Sequence, residues 1–303
     1  MAVKASVAWL EAQYNNRVRV TDSAQILQRW AAASALVRER SSCVLDVAYG
    51  PGPRQRLDVF MPTAGGGDGR EGPAAAKAPV LVVIPGGYWR ALSKADYSFM
   101  AASFVDAGAL VVIPSYDLCP AVSIERIALQ MTEALAWLWR HVADYGGDPH
   151  RITLLGHSAG GHLAAMLSCC DWKLVGRDLP RQLVRAAVSV SGLHELEPLR
   201  KLPFLQNDLR LSAASARRLS PACFDAPPSP QVLWAVCGAD ESEEYRRQNR
   251  LIQRAWGRRA VPVCEELPGC NHFTVMHELA NPQVALHQRL LRLMGLRWVD
   301  ALP

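Results

Sequence analysis

A serine between small residues is the first group in this sequence that could do covalent chemistry. Ser158 stands in Gly156-His157-Ser158-Ala159-Gly160, directly after the apolar run 152–155 and before a run of helix-forming residues. A Gly-x-Ser-x-Gly turn between a strand and a helix is typical of a nucleophile elbow, in which small neighbours let two backbones approach and expose the hydroxyl. The helix that begins near Ala159 would direct its amide dipoles at the same point. The pattern predicts nucleophilic catalysis by Ser158.

A serine hydroxyl needs a base to take its proton, and that base needs an acid to orient it. With an elbow of this kind, the chain order is serine, then acid, then histidine. Asp240 follows the apolar run 232–236 and a glycine turn, and His272 follows the run 261–265 and a second turn. We therefore predict a triad of Ser158, Asp240 and His272, with Glu241 and Glu244 as alternative acids.

The sequence contains eight histidines, and they differ in how well they suit the role of base. Only His272 follows the last predicted strand through a glycine-containing turn. His157 and His162 flank the serine, and we expect them to pack or hydrogen-bond around the elbow. His272 is therefore the predicted general base.

Attack on a carbonyl places negative charge on oxygen, which preorganised N–H groups can stabilise. Gly86 and Gly87 follow the short apolar run 80–84, and paired glycines leave backbone N–H groups unobstructed. With the N–H of Ala159 they are the predicted oxyanion hole. The adjacent Tyr88 and Trp89 are predicted to bind the substrate, although packing in the core would explain either residue.

The elements that must position these groups alternate along the chain. Strands over 80–84, 109–113, 152–155, 186–190, 232–236 and 261–265 are separated by helical segments, which predicts an α/β fold with a mostly parallel central sheet and helices on both faces. We expect a single domain over 1–303, with an N-terminal helical segment (1–42), an antiparallel hairpin (43–49 and 55–60), a surface loop (63–78) and a small helical, cap-like insertion over the site (191–230). Further helices are predicted over 95–107, 122–145 and 282–294.

Composition excludes several other functions. The chain has 303 residues, of which 50% are hydrophobic and 20% charged, with a net charge of +5. Arginines occur in short pairs rather than in basic runs with aromatics, which argues against nucleic-acid binding. No run of about 18 apolar residues predicts a membrane span, and the first residues do not resemble a signal peptide. We expect a cytoplasmic enzyme that acts on a small molecule.

No cofactor or metal is expected from the motifs. The chain lacks a phosphate-binding Gly-x-x-x-x-Gly-Lys pattern and a His-Glu-x-x-His pattern. Its eight cysteines form no Cys-x-x-Cys pair, so we expect reduced thiols rather than disulfides or a zinc site. The oligomeric state stays open, a homodimer included.

Several longer motifs carry a family resemblance that covers most of the chain. The sequence resembles α/β-hydrolases of the kynurenine formamidase (arylformamidase) type, which are related to the hormone-sensitive-lipase-like esterases. The matching stretches are Tyr14-Asn15-Asn16-Arg17, Gly86-Gly87-Tyr88-Trp89, Lys94-Ala95-Asp96-Tyr97, Tyr116-Asp117-Leu118-Cys119-Pro120, Gly156-His157-Ser158-Ala159-Gly160-Gly161-His162, Asn207-Asp208-Leu209-Arg210-Leu211, Asp240-Glu241-Ser242-Glu243-Glu244 and His272-Phe273.

The resemblance implies the α/β-hydrolase fold and metal-independent hydrolysis of N-formyl-L-kynurenine to L-kynurenine and formate in tryptophan degradation. It places the triad on the same three residues, Ser158, Asp240 and His272. One position departs from the family, because Pro85 stands where a histidine usually opens the oxyanion loop. The substrate implied is an aryl formamide or ester. A carboxylesterase of broader specificity and a non-catalytic binding module on the same fold are the alternatives.

Overall fold

The computed structural model describes residues 6–62 and 77–297. Within them, eight strands form one sheet in the order β1-β2-β4-β3-β5-β6-β7-β8. The pairs β1–β2 and β2–β4 are antiparallel, and the remaining pairs are parallel. The strands are β1 (Cys43–Ala48), β2 (Arg56–Phe60), β3 (Ala78–Ile84), β4 (Leu110–Pro114), β5 (Gly147–His157), β6 (Val184–Val190), β7 (Val232–Gly238) and β8 (Val263–Leu267). The mostly parallel α/β fold predicted from the sequence is confirmed.

The centre of the sheet is buried on both faces. In β3, Val80, Val82 and Ile84 belong to one hydrophobic cluster, whereas Leu81 and Val83 belong to the cluster on the opposite face. Because side chains alternate along a strand, a strand covered on both sides must be apolar throughout. This explains why the central strands read as unbroken apolar runs, and why their carboxyl ends can hold polar groups at one edge.

Helices cover the two faces. They are α1 (Val7–Tyr14), α2 (Asn16–Arg19), α3 (Ser23–Arg40), α4 (Lys94–Tyr97), α5 (Ala101–Asp106), α6 (Ile124–His141), α7 (Ala159–Ser168), α8 (Trp172–Val175), α9 (Pro203–Leu209), α10 (Ala213–Arg218), α11 (Glu243–Ala260), α12 (Thr274–Ala280) and α13 (Ala285–Leu293). The predicted N-terminal helical segment and hairpin are both present. Of the predicted loop 63–78, residues 63–76 lie outside the described part of the chain.

Some element bounds differ from the prediction for local reasons. The helix predicted over 95–107 is divided into α4, a 3₁₀ turn (Ser98–Met100) and α5. The strand predicted over 261–265 lies at Val263–Leu267 instead. Val261 ends α11 by donating its N–H to Gly257, and Pro262 has no N–H to donate to a sheet. The ladder therefore starts one residue after the proline.

The segment 191–230 contains short helices, as predicted, but it is also part of the core. Several of its leucines, including Leu193, Leu196 and Leu205, are fully buried in the cluster that covers one face of the sheet. Two 3₁₀ turns (Leu199–Lys201 and Pro221–Cys223) flank α9 and α10. Because these leucines are anchored in the core, the segment brings α9 to a fixed place beside the carboxyl ends of the strands.

Candidate active site

The predicted elbow is present between β5 and α7. Ser158 has a backbone conformation of φ 55° and ψ −116°, which an L-residue rarely adopts. Its N–H donates to the Val190 carbonyl at 2.8 Å, so the next strand holds the turn in place. The serine is only 3% exposed. The strain and the anchoring together fix the hydroxyl at the end of the sheet.

The glycines around Ser158 are required by space rather than by flexibility. A Cβ on Gly156 would lie 2.0 Å from the Gly160 carbonyl oxygen, and one on Gly160 would lie 2.0 Å from that of Ile84. Strand, turn and helix therefore approach as closely as glycine permits. This is the close approach that the Gly-x-Ser-x-Gly spacing predicts.

His272 is oriented by a carboxylate, and that carboxylate is Glu241. The Nδ1 atom of His272 lies 2.7 Å from Glu241 Oε2, and both side chains are buried. The second oxygen of Glu241 accepts hydrogen bonds from Ser191 Oγ at 2.5 Å and from the Gly238 N–H at 2.8 Å. The carboxylate is therefore fully hydrogen-bonded, as a buried charge must be.

The prediction of Asp240 as the orienting acid is wrong in this structure. Asp240 is exposed, and its N–H donates to the Cys270 carbonyl at 3.0 Å, which turns the chain after β7. Glu241 follows in the same turn, and its side chain returns to Gly238 and His272. The other alternative acid, Glu244, accepts a hydrogen bond from the Tyr14 hydroxyl at 2.7 Å and pairs with Arg247.

A hydrogen-bonded chain links the oxyanion loop to the backbone of the general base. His157 Nε2 lies 2.8 Å from the His272 carbonyl oxygen, which can only accept, so this nitrogen carries the proton. His157 Nδ1 is then the acceptor for the Tyr97 hydroxyl at 2.7 Å. Burial lowers the pKa of His157 well below its usual value, and the nearby His272 lowers it further. His157 is therefore neutral and structural, in agreement with its predicted role.

Tyr97 also accepts a hydrogen bond from one of the predicted oxyanion donors. The Gly86 N–H donates to the Tyr97 hydroxyl oxygen at 3.1 Å, so this N–H is committed to the protein. The next residues adopt left-handed conformations, with φ of 103° at Gly87, 50° at Tyr88 and 54° at Trp89. The prediction of Gly86 as a donor to substrate is corrected, whereas Gly87 and Ala159 stay predicted donors.

Pro85 does not disturb the start of this loop. Its carbonyl oxygen accepts a hydrogen bond from the Tyr116 hydroxyl at 2.8 Å. The proline has no N–H to donate, but the hydrogen bond at this position needs only its carbonyl oxygen. The buried Tyr116 therefore holds the loop from the side of β4.

A cavity of about 330 Å³ brings the candidate catalytic residues together. This volume is within the usual range of about 300–1,000 Å³ for small-molecule sites. Ser158, His272 and Gly87 line the cavity, together with the predicted Tyr88. Trp89 does not line it. Its ring is fully buried and meets His162 edge to face at 4.9 Å, so the prediction of a substrate contact at Trp89 is wrong.

Other aromatic residues form the walls, and sequence reasoning missed them. They come from separate parts of the chain: Trp30, Tyr97, Phe204 and Phe273. Phe204 lies in the predicted insertion, and Phe273 directly follows the predicted base. These two positions in the sequence are the signals that could have suggested a place at the cavity. Trp30, from α3, has no such signal. These rings make a wall suited to an aryl group.

Charged groups also line the cavity. Arg90 and Asp208 form an ion pair at 2.5 Å, and the guanidinium lies 5.7 Å from the Phe204 ring centroid. Arg17 lines the cavity from α2 and is exposed. The lining thus combines apolar walls with cationic and anionic groups.

Buried histidines around the site predict how stability depends on pH. Burial lowers the pKa of His162 to about 4 and that of His194 to about 3. Below pH 6.5 the unfolded chain binds protons at these positions that the folded chain rejects, so stability is complete above pH 6.5 and falls toward pH 4. Each group can remove at most about 1.4 kcal/mol per pH unit.

We therefore expect a lower free energy of unfolding in urea at pH 5.0 than at pH 7.5. His162→Gln should reduce this difference, because it removes one of the histidines whose pKa is lowered by burial. The exposed His150 offers the matched control, and His150→Gln should leave the difference unchanged. Equal pH dependence in His162→Gln and the parent would contradict the assignment.

In residues 6–62 and 77–297, no group of three or more His, Cys, Asp and Glu side chains is arranged to hold a metal ion. No helix in the same residues is long and apolar enough to cross a membrane.

Comparisons with known proteins agree with this fold and with a hydrolase. Residues 70–203 match the BD-FAE family model. A kynurenine formamidase of Salmo salar is 28% identical over 85% of this chain and 84% of its own length. Esterase LipQ of Mycobacterium tuberculosis is 33% identical over 54% of this chain and 39% of its own length.

A solved structure shows the same fold over nearly the whole chain. The crystal structure of a thioesterase candidate from Silicibacter sp. TM1040 superposes with a TM-score of 0.76 and 27% identity, covering 91% of this chain and 97% of that one. The elbow serine, the histidine–carboxylate pair, the aromatic cavity and these similarities point to a hydrolase. The chain has the α/β-hydrolase fold and is similar to kynurenine formamidases over most of its length.

Proposed function

We propose that this enzyme is an arylformamidase that hydrolyses N-formyl-L-kynurenine to L-kynurenine and formate, a step of tryptophan degradation. The observation that carries the proposal is the 2.7 Å contact between His272 and Glu241 in a cavity that Ser158 and aromatic side chains line. Similarity to kynurenine formamidases over most of the chain supports the substrate class.

The proposed reaction is a two-step acyl transfer. The Ser158 oxygen attacks the formyl carbon while His272 Nε2 takes the hydroxyl proton, and Glu241 stabilises the resulting imidazolium. The N–H groups of Gly87 and Ala159 stabilise the oxyanion. His272 then protonates the aniline nitrogen as the C–N bond breaks. Water, deprotonated by His272, attacks the formyl ester and releases formate and free Ser158.

The walls of the cavity suit the leaving group of this reaction. Trp30, Phe204 and Phe273 offer aromatic surfaces for an aryl ring. Tyr88 lines the cavity beside the oxyanion loop, where its hydroxyl donates to the Tyr14 carbonyl at 2.6 Å. The tyrosine ring is therefore held in place without a substrate. A cytoplasmic location stays a prediction.

A carboxylesterase of broader specificity is the second candidate function. The similarity to esterase LipQ over half of the chain favours it, since an esterase would use the same serine, histidine and carboxylate. A binding module without catalysis is disfavoured, because Glu241 and His272 are arranged as a general base needs them to be.

Comparing kcat/KM for N-formyl-L-kynurenine, p-nitrophenyl acetate and p-nitrophenyl butyrate separates the candidates. We expect the formamide to be the best substrate, and acetate to be preferred over butyrate because formyl is the smallest acyl group. A clear preference for butyrate would contradict the arylformamidase proposal and support the esterase. Failure of the protein to react with a fluorophosphonate probe would favour the binding module.

A further inference from the structure

Asn16, the first residue of α2, has an unusual environment for a polar side chain. The residue is only 3% exposed, yet its amide oxygen Oδ1 has no hydrogen-bond partner. Buried polar groups without partners are rare, because losing water without a replacement hydrogen bond is costly. A buried amide oxygen without a donor is therefore expected to have a function.

The tyrosines beside Asn16 do not donate a hydrogen bond to its Oδ1. Tyr88 donates its only hydroxyl proton to the Tyr14 carbonyl, so in its 2.7 Å contact with Tyr245 it accepts the Tyr245 proton. Burial raises the pKa of the Tyr245 phenol, and hydrogen bonds from the side chains of Ser158 and Asn16 lower it in part, so the Asn16 amide nitrogen already serves Tyr245. Asn16 thus lies near the oxygen of Tyr245 and in the neighbourhood of the nucleophile. Its Oδ1 receives no hydrogen bond from Tyr245, because Tyr245 donates its only proton to Tyr88.

Asn16 also lines the same cavity as Ser158 and His272. Among the described residues, Trp89, His162 and His194 also carry buried polar atoms without partners, but none of them lines this cavity. The residue that carries the unpaired Oδ1 therefore lies at the cavity in which a substrate of Ser158 would bind.

The chemistry of the side chain selects the ligand. A secondary amide has an N–H that Oδ1 can accept, whereas the corresponding ester has only oxygens at that position. We propose that Asn16 is a specificity-determining residue whose Oδ1 accepts a hydrogen bond from the N–H of an N-aryl amide. The proposal rests on the arylformamidase function.

The proposed contact also suits the reaction. When Ser158 adds to the formyl carbon, the amide nitrogen loses conjugation and its lone pair must accept a proton from His272. A hydrogen bond that holds the N–H at Asn16 orients this lone pair away from Asn16. The nitrogen can then be protonated as the C–N bond breaks, so recognition and catalysis use the same geometry.

The test uses phenyl acetate as substrate and formanilide as a competitor for the same site. We expect Asn16→Leu, which removes both polar atoms at similar size, to raise the inhibition constant of formanilide about 10-fold. The KM for phenyl acetate should change less than about threefold, because the ester has no N–H to lose. Asn207→Leu is the control, because Asn207 is exposed and does not line the cavity, and it should leave the ratio of the two constants unchanged.

An equal rise of both constants, or no rise for formanilide, would overturn the proposal. A ligand-side measurement covers the case in which Asn16→Leu does not fold. N-methylformanilide, which lacks the N–H, should inhibit the unmodified enzyme about 10-fold more weakly than formanilide, and equal inhibition would also overturn the proposal. If formanilide binds as expected but N-formyl-L-kynurenine is not hydrolysed, the proposed function fails while the role of Asn16 stands.

Discussion

Replacing Glu241 by Gln is expected to lower kcat about 10³- to 10⁴-fold. Glu241 accepts hydrogen bonds on both oxygens, from Ser191 and Gly238 on one and from His272 on the other. A glutamine of the same shape must place an NH₂ group on one of these sides. On the His272 side it would favour the tautomer with the proton on Nε2, which cannot take the proton of Ser158. On the other side the NH₂ group would face the Ser191 hydroxyl and the Gly238 N–H, which are both donors to the carboxylate.

The neighbouring Asp240 provides the matched control. Because its side chain is exposed, Asp240→Asn should change kcat/KM by less than about twofold. Both variants should be measured on the same substrate, with thermal unfolding to check that the fold is retained. A large loss in Asp240→Asn together with a small one in Glu241→Gln would contradict the assignment of the acid and restore the prediction from the sequence.

Replacing Ser158 by Ala is expected to lower kcat by at least about 10⁴-fold and to approach 10⁶-fold. Without the hydroxyl there is no covalent intermediate, and only water attack assisted by the oxyanion donors is left. The change removes one oxygen from a residue whose strained backbone is held by the Val190 carbonyl, so the elbow should persist. Labelling by a fluorophosphonate probe should disappear together with hydrolysis.

Ser168 at the end of α7 is a suitable control for this experiment. It is buried, and its hydroxyl donates to the Ala164 carbonyl at 2.9 Å, away from the cavity. Ser168→Ala should keep both labelling and hydrolysis. Labelling that persists in Ser158→Ala would show that another residue is the nucleophile.

The acid is the clearest case in which the sequence pointed to the right turn but to the wrong residue. Asp240 and Glu241 are adjacent, and both follow β7, so chain order cannot distinguish them. One weak signal was available, because Ser242 caps α11 and Glu241 is the residue directly before that cap. The choice depends on how the Asp240 N–H bonds to Cys270, which is a contact 30 residues away in the chain.

The oxyanion loop shows the same limit. Two glycines after a central strand correctly predicted a special backbone, and the left-handed conformations run on to Trp89. Which N–H groups face a substrate depends on Tyr97, which takes the Gly86 N–H. The same turn directs Trp89 into the core and leaves Tyr88 at the cavity. Adjacent aromatic residues therefore have different roles that their types do not reveal.

What the sequence determined by itself is local. The alternation of apolar runs with helical segments predicted the sheet, and the spacing of glycines around Ser158 predicted the elbow, because a strand buried on both faces and a close turn restrict residue types directly. Only the tertiary structure decided which carboxylate orients His272, which backbone N–H is already bonded, and which aromatic residues form the cavity. These outcomes depend on contacts between distant segments, as when Trp30, Phe204 and Phe273 meet at one cavity. No local pattern of residue types encodes such contacts.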